Sequence, residues 1–307
     1  MTQQLRILKK IILITVLLSF HAGMVNAQHE KLLKKVDSLA SGITGKIGFQ
    51  VRLLETGQQL GYNQDKHFVM QSVFKFPIAV MLLDEVDHGR LSLAQQVFIN
   101  KSSLHQTVSK LYEKYPEGNV SVPLREILQD MVVYSDNNAC DIILGLLGGG
   151  HKLTDYLHKH GVKKINVQFN EAGMHADWKN QYANWCTPDA QIRLLKMVFE
   201  QSLLKKETNT LLRDLMRETY VAPKRIRYLL PKFTPVEHRS GTSSTNNKGL
   251  SAATNDVGII TLPNGKHLAI AIFLMDSFED AEKRDAIIAQ IAKAAFDEFG
   301  ANRLENK

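Results

Sequence analysis

Segments with a β-strand pattern lie at both ends of this chain, and a long stretch with a helical pattern separates them. Near the start, KIGFQVRLLETGQQLGYN alternates apolar and polar residues over 49–53 and turns at Gly57, which predicts a β-hairpin with one buried face. Near the end, TPVEHRS, DVGIITL and HLAIAIFLM are predicted strands, and Asn264-Gly265 predicts a hairpin between the last two. Strands so far apart can share one antiparallel sheet if the intervening chain is inserted as a separate part.

The stretch from about residue 72 to about 216 has few strand signals and is predicted to be all helical. Apolar residues at helical spacing also occur before the first hairpin, over 32–39, and after the last one, over 287–299. The predicted fold class is therefore α/β, of the α+β type, with an antiparallel sheet flanked by helices. We predict that 28–71 and 217–307 form the part with the sheet and that 72–216 form the inserted helical part.

The first 27 residues have the layout of a secretory signal peptide. Arg6, Lys9 and Lys10 precede the apolar run IILITVLLSF, and small residues end the segment at VNA, which predicts cleavage after Ala27 and export to the periplasm. The run is too short to span a bilayer, and no cysteine follows it to carry a lipid, so we expect no stable membrane anchor; an uncleaved anchor is the alternative.

Charge and cysteine content narrow the function classes. Removing the three basic residues of the signal lowers the formal charge from +7 to +4, and no long basic run supports a nucleic-acid partner. Export places the chain in an oxidising compartment, where Cys140 and Cys186 could pair, but sequence alone does not give their distance in space.

One buried-looking helix carries two chemically useful side chains. In FVMQSVFKFPIAVML, Ser72 and Lys75 lie three residues apart, hence on one face of a helix, and Pro77 places Ser72 near the helix start. A serine there has a neighbouring base and free backbone N–H groups that can hold an oxyanion. The bland alternative is a capped helix with a solvated lysine, and Ser202 and Lys205 repeat the same spacing elsewhere.

Two further short motifs follow in order. VYSDNNACDIIL contains Ser135, Asp136 and Asn137, and EHRSGTSS contains Arg239, Ser240 and Gly241 at the end of a predicted strand. Each is weak alone, because a polar triplet before a helix is commonly a cap and a basic strand residue can protect a sheet edge.

Together, the three motifs behind an export signal resemble the serine β-lactamases and penicillin-binding enzymes. The chain is most similar to class A β-lactamases of the PER and VEB extended-spectrum branch, on the stretches HADW, QYANW and AATNDVGIITLPNG. NEAGMHADWKNQYANW lies where class A enzymes carry their Ω-loop, which belongs to the predicted helical part, and Glu171 matches the deacylation glutamate of that loop. As an isolated residue, Glu171 would read as a solvated loop acid.

The sequence departs from the common class A pattern in three places. His175 replaces the loop asparagine that helps to hold the hydrolytic water. The arginine–aspartate pair that clamps the loop is missing, with Phe169 and Asn184 in its place. Arg239 stands where most of the family has lysine, which keeps the charge but changes its shape.

The resemblance implies a fold like that of serine β-lactamases and penicillin-binding proteins and a set of roles. The implied catalytic residues are Ser72, Lys75, Ser135 and Glu171. The implied substrate-binding residues are Asn137, Arg239, Ser240, Gly241, Thr242, Arg225 and His175. For Arg225, in the short basic run KRIR, a solvated surface arginine is the alternative.

The implied reaction is hydrolysis of the amide bond of penicillins and cephalosporins through a serine acyl-enzyme, by a monomer that needs no cofactor or metal. The alternative is a penicillin-binding, DD-peptidase-like or β-lactam-sensing protein that is acylated and deacylates slowly. A secreted binding module without an active site is a third alternative, which would make the three ordered motifs coincidental.

Overall fold

The computed structural model describes residues 30–301, so the predicted signal peptide and its cleavage site lie outside the described residues. The helices are α1 (30–41), α2 (Lys75–Asp87), α3 (Lys110–Lys114), α4 (Leu124–Val133), α5 (Asn137–Leu146), α6 (Gly150–Lys159), α7 (Glu171–Ala176), α8 (Pro188–Phe199), α9 (Lys206–Glu218) and α10 (Ala281–Gly300). The strands are β1 (Lys46–Leu53), β2 (Gln59–Tyr62), β3 (Phe68–Val69), β4 (Gln96–Ile99), β5 (Val120–Pro123), β6 (Ile165–Asn166), β7 (Trp185–Cys186), β8 (Val236–Thr242), β9 (Ser251–Thr261) and β10 (His267–Ser277).

The main sheet is built from both ends of the chain, which confirms the prediction of an antiparallel sheet with helices around it. Its five strands have the order β2-β1-β10-β9-β8, and each neighbouring pair is antiparallel. β9 and β10 form the hairpin predicted at Asn264-Gly265, where Gly265 has a φ of 78°. The sheet therefore joins segments that are more than 200 residues apart.

Each face of the sheet is covered by a different set of helices. Apolar residues of β1 such as Phe49 and Val51 pack with residues of α1 and α10 on one face. On the other face, residues such as Val257 and Phe273 pack with the helical region around α2. β1 is consequently buried on both faces, and Gln50, on the predicted polar side, donates to Asp189 of α8 at 3.2 Å.

The stretch 72–216 is largely helical, but the prediction that it is entirely so is wrong. It contains β4, β5, β6 and β7, of which β6 and β7 have two residues each. A two-residue strand has no visible alternation, because a period of two needs several residues to show. The division of the chain into 28–71, 72–216 and 217–307 stays a prediction.

α2 runs through the middle of the helical region. Its residues from Lys75 to Asp84 are all buried, as predicted from the apolar run. Pro77 is the third residue of the helix, where its missing N–H costs no intrahelical hydrogen bond. Within the described range, no helix is both long and apolar enough to cross a membrane.

Candidate active site

Ser72 lies in a 3-10 turn, Gln71–Phe74, that continues directly into α2. Residues three apart are eclipsed in such a turn, which brings Lys75 Nζ to 3.1 Å from Ser72 Oγ. Lys75 is fully buried, whereas Ser72 is partly exposed. The alternative of a solvated lysine is therefore wrong.

Lys75 is surrounded by oxygen atoms from two other segments, the 135–137 motif and the Ω-loop. Its Nζ donates to Asn137 Oδ1 at 2.6 Å, Ser135 O at 2.8 Å and Ser135 Oγ at 3.3 Å, and lies 2.7 Å from Glu171 Oε1. An ammonium group has three protons, so these acceptors share them. The arrangement makes Lys75 the hub that connects the predicted catalytic side chains.

The Ser135 to Asn137 motif is held in place by local geometry and by a buried aspartate. Ser135 has a φ of 61°, which is unusual for a non-glycine residue and turns its carbonyl toward Lys75. Asp136 caps α5 by accepting from Ala139 N at 2.8 Å, and it also accepts from Ser109 Oγ at 2.9 Å. The predicted capping role of the polar triplet therefore coexists with its position in the site.

Glu171 begins α7 and points into the same cluster. Its Oε1 accepts from Ser72 Oγ at 3.3 Å, and its Oε2 lies 3.8 Å from Nε2 of His175. Glu171 is only 3% exposed, so the alternative of a solvated loop acid is wrong.

Asp141, which the sequence analysis did not single out, anchors the backbone of α7. Its two carboxylate oxygens accept from Glu171 N at 2.6 Å and from Ala172 N at 3.0 Å. Burial raises the pKa of Asp141, and the two N–H groups oppose that rise. The sequence contained a clue to this role, because Asp141 lies four residues, or about one helical turn, after Asn137 and so on the same face of α5.

The Ω-loop, residues 170–185, is clamped by amides instead of the missing arginine–aspartate pair. Asn184 is fully buried; its Oδ1 accepts from Gln168 N at 2.8 Å and from Phe169 N at 2.9 Å, and its Nδ2 donates to Phe169 O at 2.7 Å. A second amide contact joins Gln71 Nε2 to Gln181 Oε1 at 2.6 Å. The second contact ties the loop to the residue before Ser72.

Arg239 lies beneath the site rather than on its surface. It is fully buried, its Nε donates to Ser72 O at 3.2 Å, and its Nη2 donates to Ser135 Oγ. Burial lowers the pKa of Arg239 to about 10. β8 is an edge strand, but a buried side chain cannot protect the edge from other strands, so that alternative is wrong.

The end of β8 closely approaches the turn that carries Ser72. A Cβ atom at Gly241 would lie 2.4 Å from Met70 O and 3.1 Å from Ser72 N, so glycine is needed for this approach. Ser240 is buried and Thr242 is exposed at the end of the strand. The predicted binding residues of β8 thus lie beside the turn that carries Ser72.

Arg225 is buried, so the alternative of a solvated surface arginine is wrong. Its Nη2 donates to Thr242 Oγ1 at 2.7 Å, its Nη1 donates to Gly241 O at 3.1 Å and to Asn255 O at 2.9 Å, and its Nε lies 2.7 Å from Asp285 Oδ1. All three nitrogens are occupied within the protein. Arg225 therefore supports Thr242 from behind the strand in this structure.

A cavity of about 360 Å³ opens next to this cluster. Its lining comes from the 105–107 segment, the first part of α5 and α7, and includes His105, Gln106, Thr107, Asn137, Asn138, Asp141, Glu171, Ala172, His175 and Ala176. Within the described residues, no group of three or more histidine, cysteine, aspartate or glutamate side chains could hold a metal ion. The cavity has room and polar groups for the side chain of a small-molecule substrate.

This geometry can support acyl transfer. The partly exposed Ser72 contacts the buried Lys75 and the buried Glu171. Arg239 of β8 donates to the hydroxyl of Ser135, the second serine of the cluster. The sequence profile of the Beta-lactamase enzyme family matches residues 31–299. The chain belongs to this family.

Two relatives of known name indicate the branch of the family to which this β-lactamase belongs. It is 38% identical to Beta-lactamase VEB-1 of Pseudomonas aeruginosa over 96% of this chain and 99% of that protein. It is also 38% identical to Extended-spectrum beta-lactamase PER-1 of the same organism, over 94% and 95% of the two chains. The predicted resemblance to the PER and VEB branch of class A is confirmed.

The fold of this β-lactamase agrees with a solved relative. The crystal structure of TLA-1 extended spectrum Beta-lactamase superposes with a TM-score of 0.87 at 41% identity, covering 89% of this chain and 99% of that one. The two cysteines of this β-lactamase, Cys140 and Cys186, are both buried and unpaired. The disulfide left open by the sequence is therefore not formed in this structure.

Proposed function

We propose that this protein hydrolyses the β-lactam amide bond of penicillins and cephalosporins through an acyl-enzyme on Ser72, and thereby gives antibiotic resistance. The observation that carries the proposal is the contact of Ser72 Oγ with two potential bases at once. Lys75 Nζ lies at 3.1 Å and Glu171 Oε1 at 3.3 Å. A catalytic serine needs such a base, because its hydroxyl is unreactive at its own pKa.

In the acylation step, Ser72 Oγ attacks the β-lactam carbonyl and loses its proton to Lys75 or to Glu171. Both are within reach in this structure, so geometry favours neither. The backbone N–H groups of Ser72 and Thr242 would hold the oxyanion. Their proximity follows from the close approach of Gly241 to the nucleophile turn.

Ser135 is placed to protonate the ring nitrogen as the amide opens. Its Oγ accepts from two cationic donors, Lys75 Nζ and Arg239 Nη2. A hydroxyl oxygen has two lone pairs, so both are used and the O–H hydrogen is left to donate to the substrate. Arg239 thus has a role in directing this proton, in addition to the charge it places near the substrate carboxylate.

The substrate carboxylate would be bound at the end of β8. Thr242 is exposed there and Ser240 precedes it, while the guanidinium groups of Arg239 and Arg225 provide positive charge from behind. Asn137 would bind the side-chain amide of the substrate. Its Nδ2 donates one hydrogen to Thr107 Oγ1 at 3.1 Å, which leaves the second for the substrate.

In the deacylation step, Glu171 activates the water that hydrolyses the acyl-enzyme, and His175 lies beside it at the cavity edge. The contact of Glu171 with Ser72 supports hydrolysis over the alternative of a penicillin-binding, DD-peptidase-like or sensing protein, because such proteins lack a loop glutamate.

We also propose secretion to the periplasm with cleavage near Ala27, and a monomer that acts without cofactor or metal on its small-molecule substrate.

The test is turnover of a chromogenic cephalosporin by the mature protein, with intact-mass analysis of the same mixture. We expect rapid hydrolysis by the wild type, a stable covalent adduct with Glu171→Gln and no adduct with Ser72→Ala. A long-lived stoichiometric adduct on the wild type would support the penicillin-binding or sensing alternative. Rapid turnover by Glu171→Gln would remove Glu171 from the mechanism.

A further inference from the structure

A buried histidine–aspartate pair spans β8 and β9 behind the site, and none of the catalytic steps above uses it. His238 and Asp256 are 1% and 0% exposed. His238 Nδ1 lies 2.9 Å from Asp256 Oδ1 and 3.1 Å from Oδ2. His238 immediately precedes Arg239, so the pair adjoins the strand segment that faces Ser72.

The surroundings of the ring indicate its protonation state. His238 Nε2 is buried and has no hydrogen-bond partner among the described residues. An imidazolium ring would bury a charged N–H without an acceptor, whereas a neutral ring protonated at Nδ1 leaves only a weak acceptor unpaired. We therefore assign His238 Nδ1 as the donor to the Asp256 carboxylate, with Nε2 as the unpaired acceptor.

The sheet makes room for this contact. His238 is paired with Gly258 across the strands, and Asp256 is the diagonal neighbour, opposite Ser240. A Cβ atom at Gly258 would lie 2.2 Å from Glu237 O and 2.8 Å from His238 Cβ. The absence of a side chain at Gly258 therefore lets His238 lie against β9 and reach Asp256.

Asp256 also binds the segment that carries Arg225. Its Oδ2 accepts from Ile226 N at 3.3 Å, and the preceding residue, Arg225, donates to Gly241 O and Thr242 Oγ1. One carboxylate thus connects β8, β9 and the 225–226 segment. Strand β9 and the 225–226 segment both contact the end of β8 that is assigned to the substrate.

The neighbour of Asp256 in β9 extends these contacts to the nucleophile. Asn255 Nδ2 donates to Val69 O at 2.7 Å and to Met70 O at 3.0 Å, just ahead of the turn that carries Ser72. A shift of β9 would therefore move the backbone before the nucleophile.

Charge gives the pair a second effect. Arg239 donates to a carbonyl and a hydroxyl, and its Nη1 has no hydrogen-bond partner in the described part of the chain. The negative charges of Glu171 and Asp256 raise the pKa of Arg239 against the larger opposing effect of burial. Asp256 therefore helps to keep this buried guanidinium charged without occupying its donors.

We propose that His238 and Asp256 are positioning residues for acylation of Ser72, fixing β8 against β9 and the 225–226 segment. The proposal rests on the proposed function, because the strand end that the pair fixes is the one assigned to the substrate. Within the described residues, neither His238 nor Asp256 has a hydrogen bond or ion pair with the Ω-loop, which carries Glu171, so deacylation should be slowed less than acylation. That difference separates positioning from a general effect on folding.

The test compares His238→Leu, which removes the donor, with His238→Asn, whose Nδ2 can replace Nδ1–H, and with Asp256→Asn, which keeps the shape but removes the charge. Active sites are counted by covalent titration, kcat/KM is measured with a chromogenic cephalosporin, and deacylation is followed by intact mass on a preformed acyl-enzyme. We expect His238→Leu and Asp256→Asn to lower kcat/KM per active site by roughly tenfold to a hundredfold, the effect of losing one charge-assisted hydrogen bond. Deacylation should be slowed less than acylation, and His238→Asn should recover most of kcat/KM.

Wild-type kcat/KM per active site in both His238→Leu and Asp256→Asn would overturn the proposal, even if both melt at lower temperature. Equal losses in His238→Leu and His238→Asn would also overturn it, since the restored donor would then have no effect. If His238→Leu does not fold, the other two variants decide. If the wild type forms a stable adduct, hydrolysis fails as the function, but acylation rates of the variants still test the pair.

Discussion

Replacing Asn184 by alanine should loosen the loop that holds Glu171. Asn184 is fully buried and makes three side-chain hydrogen bonds, with Gln168 N at 2.8 Å, Phe169 N at 2.9 Å and Phe169 O at 2.7 Å. Each unsatisfied buried polar group costs about 1–3 kcal/mol, and Gln168 is exposed enough for water to replace part of the loss. We therefore take about 1 kcal/mol for each of the three hydrogen bonds, so that together they contribute roughly 3 kcal/mol to the free energy of unfolding.

The substitution should lower the local stability of the Ω-loop before that of the rest of the domain, because all three hydrogen bonds lie at the ends of this loop. Deacylation of Asn184→Ala should slow and its acyl-enzyme should accumulate, since Glu171 lies on the loosened loop. Acylation should be slowed less, because Lys75, the other base in contact with Ser72, lies outside the loop. The assays are intact mass during turnover, hydrogen exchange of residues 168–184 and thermal melting. If the whole domain unfolds with the loop, the melting temperature should fall by about 5 °C.

Asn166→Ala is the matched control. Asn166 makes one comparable hydrogen bond, from Nδ2 to Ala183 O at 2.7 Å, at the end of the same loop. Its loss should cost about 1 kcal/mol and leave deacylation nearly unchanged. The reasoning is refuted if Asn184→Ala deacylates at the wild-type rate and its loop exchanges as slowly as that of the wild type.

Two further predictions concern a tight backbone contact and the cysteines. Gly241→Ala should cost about 1–3 kcal/mol and strongly reduce acylation, because its Cβ would lie 2.4 Å from Met70 O. Gly145→Ala is its control: the position is helical, and outside its chain neighbours and its own helix backbone no atom of the described residues lies within 4 Å of the added Cβ. Full activity and equal or higher stability are therefore expected, and equal activity of the two variants would contradict the steric argument. Burial raises the pKa of the Cys186 thiol to about 12 and that of Cys140 well above its ordinary value, so neither should react with a thiol reagent at about pH 8 until the protein unfolds. Rapid labelling of the native protein would contradict their burial.

Local patterns in the sequence were sufficient for the longer strands of the main sheet and for the buried helix that carries Lys75. Alternation over 49–53 and the Asn264-Gly265 turn predicted strands that the sheet contains, and the apolar run around Lys75 predicted a buried helix. The spacing of Ser72 and Lys75 gave their contact, because it is set within one turn of helix. Short strands such as β6 escaped prediction because two residues have no period.

Only the tertiary structure decided what surrounds these residues. Lys75 takes its acceptors from Ser135 and Asn137, 60 and 62 positions away, and no local pattern encodes such a distance. The same reason hid the clamp at Asn184 and the burial of Arg225, which reads in sequence as part of an exposed basic run.

The sequence by itself therefore determined the family, the strands of the main sheet and the contact between Ser72 and Lys75. The tertiary structure decided that Arg239 lies beneath Ser135, that Asp141 anchors Glu171, and that the cysteines stay apart. The physical reason is that periodicity and turn chemistry act over a few neighbouring residues, whereas hydrogen-bond partners and burial depend on which distant segments the fold brings together.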